Sequence, residues 1–294
     1  MALAEIRQGL IGLTESGCVP YGERKRYLER TLAGMPVEEA VRLAISESKS
    51  LASYQAWEDQ YPTAYYLEQY AQREITCVTI LDDTYPQMLL EISKPPLVLF
   101  VQGHVEWLQS SCLAVVGARN APHHTKRLLN HLFPPLAGKL TIVSGLARGV
   151  DRWSHECAIS HHLPTIGVIG TGLAHVYPKE NHCLQTIMAQ EQCVVSALPL
   201  HAGVRRWQFP FRNEILAGLS LATLVVAAKQ ESGSLITANY ALQYNREVMA
   251  VPGQWDDPYS VGGNRLIQAG ALLVMDAEDI LTDLTYLLEQ KIRK

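Results

Sequence analysis

Over residues 1–75 the apolar positions recur three and four apart without strand-like alternation, a spacing that predicts helices alone. The clearest helical segments are 27–32, 37–45 and 51–70, and Gly34-Met35-Pro36 and Tyr61-Pro62 break them. Tyr54, Trp57, Tyr61 and Tyr65 fall on one helical face, and a stripe of this period is read as core in preference to a base-stacking platform. From Cys77 the pattern changes. Residues 78–81 and 97–101 read as strands, separated by the turn Asp82-Asp83-Thr84-Tyr85-Pro86 and the stiff Lys94-Pro95-Pro96.

Beyond Ser111 short apolar runs alternate with helical stretches. The runs at 113–116, 141–143, 165–169, 193–196, 222–227, 247–251 and 271–274 read as strands. Between them, 126–136, 153–161, 181–189, 211–219, 234–244 and 264–268 read as helices. Apolar strands without polar alternation, joined by helices, predict an α/β domain whose mainly parallel sheet is covered on both faces. The expected division is a helical domain at 1–75, an α/β domain at 111–294, and between them a joining subdomain at 76–110 packed on the α/β domain. Asp276 onward has room for one helix.

Composition narrows the class. With 294 residues and 48% hydrophobic content the chain can bury a substantial core. Its six cysteines form no CxxC pair, as expected of reduced thiols in a cytoplasmic protein. Glu5 and Arg7 interrupt the start, and no apolar run is long enough to span a bilayer, so neither secretion nor a membrane location is expected. The net charge is -4, yet residues 111–215 carry 10 Lys or Arg against 5 Asp or Glu, and the remainder 15 against 24. A local anion-binding surface on an acidic protein fits that imbalance.

The excess cations sit beside glycines at strand ends. Gly117-Ala118-Arg119-Asn120 ends the first strand of the α/β part, Ser144-Gly145-Leu146-Ala147-Arg148-Gly149 the second, and Gly170-Thr171-Gly172 the third, with Tyr177-Pro178-Lys179 after it. Ligands bind beyond the carboxyl ends of such strands, where glycine lets backbone amides approach and arginine adds a fixed cation. A fourth cluster, Arg205 to Asn213, interleaves arginines with Trp207, Phe209 and Phe211, the composition of a single-strand platform. A GxGxxG with a distal acid and a GxxxxGK[ST] are both missing, so no dinucleotide cofactor and no ordinary P-loop are expected. Ser144, Asp151 and His155 suggest a hydrolytic triad, but Asp151 sits where a carboxylate caps helix amides, and no catalysis is expected of them. His123-His124 and His161-His162 are adjacent pairs that cannot share one helical face, so no metal is expected.

Together with Asp83-Thr84-Tyr85-Pro86, Pro95-Pro96, Phe209-Pro210-Phe211-Arg212-Asn213, Ala217-Gly218-Leu219-Ser220, Ser232-Gly233-Ser234-Leu235-Ile236-Thr237-Ala238, Ala250-Val251-Pro252-Gly253 and Gly263-Asn264-Arg265-Leu266-Ile267, these loops form an ordered set from about residue 80 to 275. As a set they resemble the DNA-processing protein A (DprA/Smf) family of bacterial natural transformation. The resemblance implies an extended Rossmann-like domain behind a small sterile-alpha-motif-like helical domain; the winged-helix domain that some members carry is not expected, since 276–294 has room for one helix only. It further implies a non-catalytic protein without cofactor that binds single-stranded DNA, forms a homodimer, displaces single-strand-binding protein and loads the RecA recombinase.

By the same resemblance Arg119, Arg148, Lys179 and Arg212 contact DNA, with Gly117, Ser144, Gly145, Gly149, Gly170, Thr171, Phe209 and Asn213 supporting them. Leu266, Ile267, Leu272 and Leu273 are the candidates for the dimer contact. The chain departs from the family at Ala121-Pro122-His123-His124-Thr125, at Ala197 and Ala227 where acids are usual, and at Glu214, where a second arginine is usual. A carboxylate at Glu214 should weaken phosphate contact if it faces the groove. A nucleotide-binding or nucleotide-cleaving protein is the alternative; the related PGGxGTxxE pattern needs a catalytic Glu, and 238–241 supplies no acid.

Overall fold

The computed structural model describes residues 3–292. Nine strands form one sheet: β1 (Ile75–Thr79), β2 (Val98–Gly103), β3 (Cys112–Gly117), β4 (Thr141–Gly145), β5 (Thr165–Val168), β6 (Cys193–Ser196), β7 (Ala222–Ala227), β8 (Glu247–Ala250) and β9 (Leu272–Leu273), in the order β1-β2-β6-β5-β4-β3-β7-β8-β9. Strands β3 to β9 pair in parallel, while β1 and β2 pair antiparallel and continue the sheet onto β6. The fold is therefore α/β and Rossmann-like. Its central strands are buried on both faces, which is why their sequences lack polar alternation.

Pleating divides the core. Leu113 and Val115 of β3 face α7 (His124–Leu132), α8 (Val150–Ser160) and the first turns of α13 (Ala277–Ile292). Val116 faces the other way, into a cluster with α10 (Gln208–Leu219), α11 (Gly233–Gln243) and α12 (Val261–Gln268). A third cluster joins α1 (Leu3–Glu15), α2 (Tyr21–Leu32), α3 (Val37–Glu47), α4 (Leu51–Gln60) and α5 (Thr63–Gln72) to β2 and α9 (His182–Glu191), so the helical layer packs directly on the sheet. Short α6 (Gln87–Leu90) fills the connection from β1 to β2.

Three local differences from the sequence reading have physical causes. Helix α1 buries Ile6, Leu10 and Leu13, but Gly9 and Gly12 lower helix propensity within it and obscure the pattern. Pro62 separates α4 from α5 and resets the phase. In consequence the Tyr54–Tyr65 stripe splits: Tyr54 and Trp57 are half-buried and pack against the third cluster, Tyr61 and Tyr65 are exposed, and Tyr66 and Tyr70 are buried instead of them. Helix α10 starts at Gln208, earlier than the pattern predicts, because Pro210 falls in the first turn, where no backbone donor is missed.

The order of strands creates the site. From β3 the chain builds β4, β5 and β6 on one side, then crosses back to place β7 on the other. Loops leaving β3 and its neighbours diverge at such a switch point and leave a crevice at their carboxyl ends. Among the described residues no helix is long and apolar enough to cross a membrane.

Candidate functional site

The first two loops are locked together through glycine. Gly149 holds φ at +69°, and a Cβ there would lie 2.4 Å from the Ala118 carbonyl oxygen and 2.5 Å from that of Arg119. Any other residue would meet both the unfavourable backbone region and the neighbouring loop. The Val150 amide donates to the Ala118 carbonyl at 3.3 Å, and the Ala118 amide donates to Ala227 at 2.7 Å. Asn181, just beyond the third loop, donates through Nδ2 to the carbonyls of Leu146 (2.8 Å) and Ala147 (3.1 Å). The sequence pattern does not single out this asparagine, and only its place after Tyr177-Pro178-Lys179 hints at it.

Beneath the loops lies a buried cation. Arg212 of α10 donates from Nη1 to the Val168 carbonyl at 3.1 Å and stands 3.7 Å from Asp151 Oδ2. A Cβ at residue 145 would fall 1.4 Å from that Nη1, so Gly145 exists to admit the guanidinium. Burial pushes the Asp151 carboxyl up from its ordinary value, and Arg212 beside it opposes the push. Ser144 is buried and its hydroxyl donates to the Val115 carbonyl at 2.7 Å. Ser144 and Gly145 therefore lie under the cleft instead of lining it, and act by holding strand and arginine in place.

Above this floor a cleft of about 500 Å³ is lined by Arg119, Arg148, Lys179, Arg212, Gly170, Thr171, Tyr177 and Phe209, among others. The Phe209 ring has Tyr177 at 5.5 Å, tilted by 48°, and the Arg119 guanidinium at 5.8 Å. Arg119, Arg148 and Lys179 are exposed on its rim. Arg148 is paired with Glu180, which also lines the cleft. An adjoining lobe of about 390 Å³ shares Arg119, Phe209 and Arg212 and is completed by Gly117, Asn213, Lys229 and the start of α11. Asn213 donates to the Gly233 carbonyl at 3.4 Å. The sequence-derived loops thus converge, with four cations around two aromatic rings in the first lobe and two carboxylates, Glu180 and buried Asp151, near them.

The triad does not assemble. Both imidazole nitrogens of His155 are engaged, by Thr165 Oγ1 at 2.7 Å and the Gly145 carbonyl at 3.0 Å, so His155 is not placed to take a proton from Ser144. Burial lowers its pKa to about 4. Among the described residues no group of three His, Cys, Asp or Glu side chains is arranged to hold a metal ion.

Glu214 does not face the cleft. It accepts from the Tyr244 hydroxyl and lines a different cavity, on the other side of α10 from Arg212. The condition under which it would oppose phosphate is not met. Leu266, Ile267 and Leu272 are partly buried against the core, whereas Leu273 is exposed on β9 at the end of the sheet.

The family model for DNA recombination-mediator protein A matches residues 76–285. The DNA processing protein DprA of Bacillus subtilis is 42% identical over 220 residues, 74% of each chain. That of Streptococcus pneumoniae is 39% identical over 208 residues, 71% of this chain and 74% of that one. An X-ray structure of DprA from Streptococcus pneumoniae superposes with a TM-score of 0.83 at 32% identity, covering 94% of this chain and 97% of the other. The structure reporting the single-stranded DNA binding mode of DNA processing protein A from Helicobacter pylori shares the fold, with a TM-score of 0.64 at 24% identity over 72% of this chain and 96% of that one.

Proposed function

The chain belongs to the DNA recombination-mediator protein A family of DNA-processing proteins, and from that premise we propose that it is a non-catalytic single-stranded DNA-binding protein that acts in natural transformation. The observation that carries this reading is the cleft itself: Arg119, Arg148 and Lys179 on the rim and Arg212 beneath, around the Tyr177 and Phe209 rings. Arginine and lysine suit phosphate oxygens, and rings take unstacked bases of any identity. Contacts of this kind position a strand without reading its sequence, as incoming DNA of arbitrary sequence requires. Single-stranded DNA is also the ligand of the Helicobacter pylori relative, which supports the same ligand class here.

Bound in this way, a strand is shielded and can be passed to RecA, with single-strand-binding protein displaced in the exchange. A homodimer is part of this proposal. Leu273 and Met275 are exposed beside β9, where a second copy would cover them. Leu273→Asp should then give the mass of one chain by light scattering at a concentration where the parent gives two; an unchanged mass would place the contact elsewhere.

The ion pair between Arg148 and Glu180 supplies a test with two signs. Arg148→Ala should weaken binding to a labelled single strand and lower the slope of log affinity against log salt by about 0.7, the value of one phosphate contact on a single strand. Glu180→Gln removes a carboxylate from the cleft and should strengthen binding at low salt. If neither variant moved the titration, the strand would not lie on this rim.

A further inference from the structure

A second cavity, of about 610 Å³, lies between the helical layer and the start of α10, on the side away from the cleft already described. Arg24 of α2 lines it. Its Nη1 donates to Thr14 Oγ1 at 3.0 Å, its Nε is buried without a partner, and among the described residues no carboxylate forms an ion pair with it. Burial lowers the Arg24 pKa to about 10, and Tyr21 beside it opposes the shift only in part. The acids that line the same cavity are committed elsewhere. Glu15 accepts from the Tyr70 hydroxyl and the Leu200 amide, and Glu214 accepts from the Tyr244 hydroxyl. A half-buried guanidinium whose Nε is sealed from water and which no carboxylate pairs is suited to an anion entering the cavity.

The walls indicate what else the anion carries. Trp57 stacks on Tyr66 with ring centroids 5.5 Å apart and an interplanar angle of 16°. Trp207 and Phe211 line the cavity from the start of α10, and Lys94 and Arg205 add exposed cations to its lining. Aromatic walls around a half-buried cation fit a planar ring joined to a phosphate. The same helix start serves both cavities, Phe209 and Arg212 facing the first and Trp207 and Phe211 the second.

We propose that this cavity is a second nucleotide site, with a phosphate on Arg24 and a base among Trp57, Tyr66, Trp207 and Phe211. The choice of a nucleotide over other aromatic anions rests on the reading of the first cleft as a single-strand groove. The unit has two possible sources, the end of a strand held in that groove or a free deoxynucleoside monophosphate, and both present the same chemistry.

Photocrosslinking separates the outcomes. The purified full chain is irradiated with oligodeoxythymidine carrying 5-iododeoxyuridine at one end or mid-strand, and separately with 5-iododeoxyuridine monophosphate, and adducts are located by mass spectrometry. Adducts at Trp57, Tyr66, Trp207 or Phe211 are expected, and Arg24→Met should reduce them roughly tenfold while adducts at Tyr177 and Phe209 persist. Arg205→Ala, at an exposed position, should reduce them too and serves if Arg24→Met does not fold. Labelling by the monophosphate identifies a free nucleotide, and labelling by the strand end alone identifies a strand terminus; either supports the site. Adducts confined to Tyr177 and Phe209 would overturn the second site and leave the first intact. Adducts in neither cavity would overturn both.

Discussion

Arg212→Ala is expected to lower folding stability by about 3–5 kcal/mol, far beyond the cost of trimming a surface arginine, because it strands a buried carboxylate. Asp151 is 3.7 Å from Arg212 Nη1, both side chains are nearly inaccessible to solvent, and the same nitrogen holds the Val168 carbonyl. Removing the guanidinium also empties the space that Gly145 keeps for it. Urea unfolding of Arg212→Ala, Asp151→Asn and the double variant measures the coupling. The double variant should regain much of the loss, since no unpaired charge is left, but its single-strand affinity should stay low because the cation beneath the cleft is gone. A single variant as stable as the parent would mean that the pair is not buried as described.

The second large effect is one of pH. Burial raises the Glu15 pKa to about 7 from an ordinary value of 4.5, against the lowering effect of the Tyr70 hydroxyl and the Leu200 amide. The folded state therefore holds a proton that the unfolded state releases between these values. The contribution of Glu15 is complete below about 4.5 and is lost as pH rises through about 7. Glu15→Gln keeps an acceptor for both donors and removes the titration. Its stability relative to the parent should climb by about 3 kcal/mol from pH 4 to pH 8, and chemical denaturation at several pH values reads the difference. His155 acts with the opposite sign: with a folded pKa of about 4, its contribution is present above its ordinary 6.5 and is lost as pH falls through about 4. The two partly cancel in the parent, so the comparison with Glu15→Gln shows the Glu15 window alone. A constant difference across this range would mean that Glu15 is solvated.

What the sequence discloses depends on whether a residue's role is local. Strands β3 to β8 are legible because burial on both faces leaves uninterrupted apolar runs. Arg119 and Arg148 are legible because each lies beside a glycine at a strand end. Arg212 reads from sequence as a direct DNA contact, and its burial cannot be seen there: the space it occupies is made by Gly145, on a different element 67 positions earlier. Glu214 reads as a threat to phosphate binding because it comes after the Arg-Asn pair. Residues two apart on a helix point to different sides, and with α10 beginning at Gln208 the carboxylate falls away from the cleft. Asn181 ties two loops by hydrogen bonds to backbone carbonyls, and such a role leaves no sequence pattern.

Fluorescence anisotropy of the purified protein with a labelled single-stranded oligonucleotide and with its duplex, over a salt series, tests the central claim most directly. Preferential, salt-sensitive binding of the single strand that Arg119→Ala and Arg148→Ala each weaken is the expected result. Equal affinity for duplex and single strand, or single-strand binding that both variants leave unchanged, would contradict the assignment of this cleft.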